Sequence, residues 1–484
     1  MNKVKKQSIA VILAAGHGKR IKSETPKVAH TIWGIPSVLR VSGSVEDGLG
    51  CHNQVIVIGQ KANDVMELVG KKKNTVFAYQ KVQRGTGHAL QTAVKKIPKS
   101  WTGNVYVFPG DTGLLKSWLV NDFRKSFENS DYDMMLLSGT YEGPVETNYY
   151  GRIVRVPESG EGAGEVIEIL QHKDILKLNS KRECVSYYHG KPYAFTKTEL
   201  LKNNEFDSGI LAFRAGKLMK YINKIKAENV QGEIYMTDLV SIFNKSGLKV
   251  GCFQSKNSEM LLGFNNKSTL KKMESIVRQN YYEILKDIIS IEDEEDFFIA
   301  EEVINDIIKL DKKIGPLDIF IGSGCYISKG VKINKGITIG RNACLDGNII
   351  LSENVKVGEG VHISTYPEQT LIIGRETEMV GGNIIKGNTT LGDNVRIETG
   401  VNITGSDEFP VRIGDRCLIK GTSYIFGSII EPDMCIQHSV LVKQRIRKLK
   451  NKNGEIQNIK YILPKAEGME CIQNIGKGNK RCVE

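Results

Sequence analysis

Residues 11–27 read VILAAGHGKRIKSETPK. An apolar run enters a loop with two glycines, and cations follow at Lys19, Arg20 and Lys27. Backbone N–H groups left open by glycine, with cations close by, are what a polyphosphate needs. The spacing excludes the two commonest phosphate loops. A dinucleotide loop needs GxGxxG, and Ile21 stands where its third glycine belongs. A Walker A loop needs GxxxxGK followed by Ser or Thr, but Leu13 takes the place of its first glycine and Arg20 follows Lys19. A strand, an anion-facing loop and three cations remain. That set suits a triphosphate handled without a covalent step on the protein.

The elements that must position these residues are legible as alternation. IAVILAAG, NQVIVIGQ, NVYVFPGD and DMMLLSGT are short apolar runs, and amphipathic stretches such as PSVLRVSGSVEDGL and GTGHALQTAVKKI lie between them. This predicts a doubly wound, mostly parallel α/β sheet over residues 1–255. In such sheets ligands sit beyond the C-terminal strand ends, so Gly16 and Asp111, each just past a strand, are placed to face one site. Residues 256–315 read as a helical linker. From Ile321 an aliphatic residue recurs every six positions through Ile363. The period resumes at Ile373 after an insertion containing Pro367, and again at Ile413 after GSDEFP. A sixfold period with an aliphatic anchor predicts a hexapeptide parallel β-helix over 316–442. Its turns account for the 49 glycines among 484 residues.

The nine cysteines form no CxxC pair or Cys/His cluster, which argues against a disulfide frame or a zinc site. No apolar run is long enough to span a membrane, and the expected location is the cytoplasm. Of the net charge of +12, most comes from residues 443–484, where eleven Lys/Arg face four Glu. This segment reads as a basic, solvated tail. No nucleic-acid motif accompanies it.

The motifs narrow the chemistry. LAAGHGKRIKSETPKVAH resembles the signature of sugar-1-phosphate nucleotidyltransferases, LAAGxGTRMxSxxPKxL, with Lys19 where Thr is usual. QKVQRGTGHALQ resembles that family's uridine-side segment QxEQxGTGHAxQ, and FPGDTGLL its metal-binding strand end GDxPLL. YYGRIVR, ILQHKDI, FDSGILAF, QGEIYMTDLV and GFNNK follow in the same order, over residues 8–267. The order is similar to that of the bacterial bifunctional UDP-N-acetylglucosamine pyrophosphorylase / glucosamine-1-phosphate acetyltransferase family, which carries a β-helix where the hexads stand here. The resemblance implies a Rossmann-like nucleotidyltransferase domain, a left-handed β-helix, a homotrimer and a Mg²⁺-dependent reaction supplying cell-envelope precursors. In that reaction a sugar 1-phosphate oxygen attacks the α-phosphorus of UTP and pyrophosphate leaves. By the same resemblance, the backbone of Leu13, Ala14, Ala15 and Gly16 cradles the nucleotide, and Gln80, Gly85 and Thr86 read uracil. Arg20 stabilises the leaving phosphates and Lys27 bridges the α-phosphate and the sugar phosphate. Asp111 and Asn265 hold Mg²⁺; Gly151, Gln171 and Asp207 line the sugar pocket. His17, His30, His88 and His172 fall in matched segments, but the chemistry needs no imidazole, so they read as structural.

The chain also departs from the pattern. Gln171 replaces the sugar-binding Glu of IVEHKD, Asp207 replaces the Asn of NTGI, and about twenty extra residues separate the two. The sugar the resemblance implies is N-acetylglucosamine or a related hexosamine. In the hexads, Gly382 stands where the acetyltransferase has its general-base histidine, Ile385 where it has a tyrosine and Gly405 where it has an asparagine; no RPG segment occurs. Loss of the base argues against acetyl transfer. The alternatives are the full bifunctional enzyme and a non-catalytic scaffold that binds a nucleotide sugar.

Overall fold

The computed structural model describes residues 7–464 apart from 17, 180, 181, 228 and 230. The chain forms two compact units, Met1–Val277 and Arg278–Glu484, and the division falls inside the helix Lys267–Leu285.

The first unit is built on strands β1 (Ser8–Leu13), β2 (Gln54–Ile58), β3 (Thr75–Tyr79), β4 (Asn104–Pro109), β5 (Met134–Thr140), β6 (Arg152–Arg155), β7 (Val166–Leu170), β8 (Cys184–Tyr188), β9 (Lys191–Phe195), β10 (Glu205–Arg214) and β11 (Val250–Gln254). The main sheet runs β11-β5-β10-β4-β1-β2-β3. All pairs on this path are parallel except those of β10, which is antiparallel to β4 and β5. β1 shows why both faces must be covered. Ile9 and Val11 enter one apolar cluster with Leu90 and Ala93 of the helix Thr86–Val94; Ala10 and Ile12 enter the other with Val41 and Val45 of the helix Ser37–Leu49. Period-2 alternation with apolar residues on both sides is a strand buried on both faces. The helix Ser37–Leu49 ends where Gly50 turns left-handed at φ 61° and its N–H bonds back to Asp47 O.

The extra residues between the two sugar-side motifs fold as the antiparallel hairpin β8–β9 and the helix Lys197–Lys202, whose N-terminus carries a capping box made by Thr196 and Glu199. Asn203 Nδ2 ties the end of this insert to Ile153 O of β6 at 2.7 Å.

The second unit is a parallel β-helix with three sheets. Anchors from successive coils pair directly: Ile327 with Leu345, Leu345 with Ile363, Ile363 with Ile385, Ile385 with Ile403 and Ile403 with Ile425. All of these anchors are buried. Three residues before an anchor the chain turns left-handed, at Gly336, Asn354, Glu376, Asn394 and Arg416 on one corner and at Asn342, Gly360, Gly382, Gly400 and Thr422 on the next. Glycine and asparagine are favoured there because Cβ clashes in this region. Both insertions leave from one corner, between His362–Ser364 and Leu371–Ile373 and between Asn402–Gly405 and Val411–Ile413.

The β-helix is longer than the hexads indicate. Ser290–Ile291 and Phe297–Ile299 pair in parallel with Phe320–Ile321 and Cys325–Ile327, so the first rungs lie inside the expected linker. Arg445–Ile446 and Ile459–Lys460 add rungs inside the expected tail. The helix Glu301–Ile314 and long turns interrupt the period at these ends, although Phe297 and Ile299 are buried like the later anchors. The rest of that tail, residues 465–484, lies outside the described residues. Among the described residues no helix is long and apolar enough to cross a membrane.

Candidate active site at the ends of β1 and β4

Leu13 and Pro109 close β1 and β4 in register. Gly110 N then donates to Leu13 O at 2.9 Å, and a Cβ at Gly110 would stand 2.9 Å from the same oxygen. Only glycine lets the two strand ends approach so closely, and Asp111 is delivered directly beside the loop. Ala14 and Ala15 are buried, whereas Gly16 is exposed with open space where a side chain would stand. The loop is pinned from across the sheet by Gln83, whose Nε2 donates to Ala15 O. Gly18 turns left-handed at φ 60°, and a Cβ there would lie 2.9 Å from Lys27 Cβ. Gly18 thus fixes where Lys27 emerges. His17 and the side chain of Lys19 lie outside the described residues.

Lys27 is the hub. Its Nζ donates to Asp111 Oδ2 and, at 2.8 Å, to Asn265 Oδ1, and it lies 5.7 Å from the centre of the Phe264 ring. The Lys27 and Asp111 side chains are only 13% and 17% exposed, which limits screening of the pair. Burial, and then the Asp111 charge, push the nearby Tyr150 hydroxyl up to about 12. A carboxylate oxygen and an amide oxygen aimed at one cation form a hard-oxygen pair of the kind that binds Mg²⁺ when phosphates and water complete the shell. Among the described residues no group of three or more His, Cys, Asp or Glu side chains is placed to hold a metal alone. The donor set therefore fits a metal that arrives with its substrate.

Arg20 is exposed, and among the described residues its side chain has no hydrogen-bond or ion-pair partner. The fold brings it to the loop but not into the Lys27 cluster.

The uracil-side residues sit at the start of the helix Thr86–Val94. Gln80 is buried, with Nε2 3.3 Å from Gly85 O and 2.9 Å from His88 Nδ1. Gly85 has φ 106°, and a Cβ there would meet Ile234 O at 2.5 Å. Ile234 clamps this turn by accepting from Gly87 N and donating to Arg84 O, both at 2.7 Å, while Thr86 Oγ1 accepts from Met236 N at 3.2 Å.

The three sugar-side residues also converge. Asp207 N donates to Gly151 O at 2.9 Å, Gln171 Nε2 lies 3.5 Å from Thr237 Oγ1, and a Cβ at Gly151 would be 3.1 Å from that same Nε2. The turn carrying Gly151 is held by Arg152, a fully buried guanidinium that donates to Tyr150 O and, at 2.8 Å, to Asn148 O. Desolvation raises the Asp207 carboxyl from 3.8 to about 6, partly offset by the hydrogen bond from Gly209 N. His30 and His172 have lowered pKa values, chiefly from burial, in keeping with a structural role.

In the β-helix, Gly382 is one of the left-handed corner residues, at φ 72°. His362 and Tyr366 belong to the preceding coil; His362 pairs with Ile384, and Tyr366 is 75% exposed.

The strand-end loop, the sheltered Lys–Asp–Asn cluster and the sheet order fit a nucleotidyltransferase-type domain. The family described as MobA-like NTP transferase domain matches residues 10–172. Over 270 to 320 residues the chain is similar to bifunctional GlmU proteins. Bifunctional protein GlmU of Clostridium tetani is 32% identical over 270 residues, 56% of this chain and 52% of that protein. That of Acetivibrio thermocellus is 33% identical over 296 residues, 61% and 57% of the two chains. That of Clostridium botulinum strain ATCC 19397 is 32% identical over 320 residues, 66% and 60%. The chain thus spans 52–60% of the length of these relatives. Among solved structures, a UDP-glucose pyrophosphorylase complexed with UDP-glucose aligns with 56% of this chain and 99% of its own, at 14% identity and a TM-score of 0.42, too loose a superposition to carry an argument.

A raised carboxyl pKa means the native state holds its proton to higher pH than the unfolded chain does. Stability from this group is full below pH 3.8 and falls as pH rises through about 6. The difference corresponds to about 3 kcal/mol at neutral pH. Asp207→Asn keeps the acceptor for Gly209 N and removes the charge. Urea unfolding is expected to show the variant more stable by up to about 3 kcal/mol at pH 7.5, with the gain gone near pH 4. A gain independent of pH would contradict this assignment.

Proposed function

We propose that the chain is a Mg²⁺-dependent nucleotidyltransferase that joins UTP to a sugar 1-phosphate, with N-acetylglucosamine 1-phosphate the first candidate. The observation that carries this reading is the convergence of Lys27, Asp111 and Asn265 at the mouth of the glycine loop. In this reading the N–H groups of residues 13–16 take the triphosphate. Lys27 exchanges its carboxylate partner for the α-phosphate and the sugar phosphate, so that two anions are held at attack distance without mutual repulsion. The sugar phosphate oxygen forms the new P–O bond, the bond between the α-phosphorus and its bridging oxygen breaks, and that oxygen leaves with pyrophosphate. Mg²⁺ held by Asp111 and Asn265 would supply charge neutralisation at the phosphates. Arg20, exposed and unengaged in the protein alone, is free to meet the outer phosphates.

Gln171 and Asp207 set the sugar preference. Gln171 can donate as well as accept, and the negative charge has moved to Asp207, so a hexosamine other than N-acetylglucosamine 1-phosphate also fits. Acetyl transfer is disfavoured: the coil corner at Gly382 supplies a turn and no base. A cytoplasmic role in precursor synthesis follows from the family resemblance alone.

The β-helix is read as a trimerisation element. Outward positions of one sheet align Tyr326, Cys344, His362, Ile384, Asn402 and Tyr424 in a ladder, with Asp346 and Lys386 the charged residues of that sheet's other outward row, whereas the adjacent face carries Lys356, Glu378 and Arg396. Three of the ladder's side chains are 38–42% exposed, and further copies of the chain would cover them. Light scattering is expected to give three times the chain mass of 53.8 kDa, and Ile384→Glu with Tyr424→Glu is expected to give one; a monomeric parent chain would exclude this reading.

Pyrophosphate release from the full chain with Mg²⁺, UTP and a panel of sugar 1-phosphates tests the reaction. Release with one sugar is expected, falling about 10²- to 10³-fold in Asp111→Ala. No release with any sugar would favour the scaffold alternative.

A further inference from the structure

Beside the uracil-side turn lies a second cavity of about 590 Å³. Its walls come from the end of β3 and the outer side of the helix Thr86–Val94, and it includes none of the residues assigned to nucleotide, sugar or metal. Lys81, Arg84, Lys95 and Lys96 line it, with His88 and Tyr79. Among the described residues no Asp or Glu lines it, and none of the four cations has a carboxylate partner. Four like charges gathered around one concavity repel each other, and an anion bearing several charges relieves that repulsion while gaining from all four. The cavity is also wired to the nucleotide side. His88 lines it, His88 Nδ1 is 2.9 Å from Gln80 Nε2, and the same Nε2 lies 3.3 Å from Gly85 O. A ligand that moves the His88 ring therefore moves the group that orients Gln80 and the Gly85 turn.

We propose that this cavity is a regulatory site for a small, multiply phosphorylated anion, coupled to nucleotide binding through His88 and Gln80. The coupling rests on the nucleotidyltransferase reading; the binding does not. The test uses fructose 1,6-bisphosphate, which carries two phosphates and no base, titrated calorimetrically into the full chain without Mg²⁺. Saturable binding is expected, weakened by added salt and weakened about tenfold or more in Lys95→Glu with Lys96→Glu. The dissociation constant of UTP, titrated separately, is expected to shift about fivefold when the probe saturates the parent chain, and not to shift in the variant. Without the probe, both proteins are expected to bind UTP alike. No saturable binding of the probe, or equal binding by the variant, would overturn the site. Probe binding with an unchanged UTP constant would overturn the coupling. If neither protein binds UTP at all, the coupling and the nucleotidyltransferase reading fall together, while the probe titration still decides the site.

Discussion

One ammonium group organises the active end of the first unit. Lys27 Nζ joins Asp111, 84 positions away, and Asn265, 238 positions away. Three distant segments thus meet at a point where a charge is partly shielded from water. A sheltered lysine needs oxygen partners, and a sheltered carboxylate needs a cation. The pairing satisfies both in the absence of substrate. In the proposed reaction that pairing would be exchangeable, with phosphates taking the place of Asp111 at the lysine and a metal held by Asp111. The surrounding glycines serve this geometry: Gly110 lets β1 and β4 close together, and Gly18 leaves room for the Lys27 stem.

The β-helix rests on a different constraint. Each coil presents one anchor per sheet inward, and from Ile321 onward the chain turns left-handed three residues before the anchors of two of the three sheets. Where glycine or asparagine fills that turn the backbone is relaxed. Where Glu376, Arg416 or Thr422 fills it, the stacked anchors and ladder hydrogen bonds must carry a cost of about 1 kcal/mol or more per residue. Gly382 belongs to this series. Its identity answers to the turn, which explains how a coil can keep its shape with no base at that position.

Residue type and spacing made much of this legible. The run into Gly16, the Asp after NVYVFPG, and the hexad anchors from Ile321 onward all depend on local pattern, and local pattern is what a sequence displays. Three features escaped notice because they depend on distant contacts. Gln83 pins Ala15 from 68 positions away. Arg152 supports the Gly151 turn from inside the core, signalled only by a cation within the apolar segment RIVR. Gly18 counts through its closeness to the Lys27 stem. The rungs at 290–299 and 445–460 were hidden for another reason: the helix Glu301–Ile314 and long turns break the six-residue period on which the hexad reading depends. Arg20 is the residue for which the sequence promises most and the fold alone supplies least.

In the proposed reaction Lys27 and a divalent metal compete for the oxygens of Asp111 and Asn265. Electron paramagnetic resonance of Mn²⁺ titrated into the nucleotide-free chain measures this without turnover. Lys27→Met is expected to bind Mn²⁺ more tightly than the parent chain, and adding Asp111→Asn is expected to remove the gain. Equal or weaker Mn²⁺ binding by a folded Lys27→Met variant would contradict it.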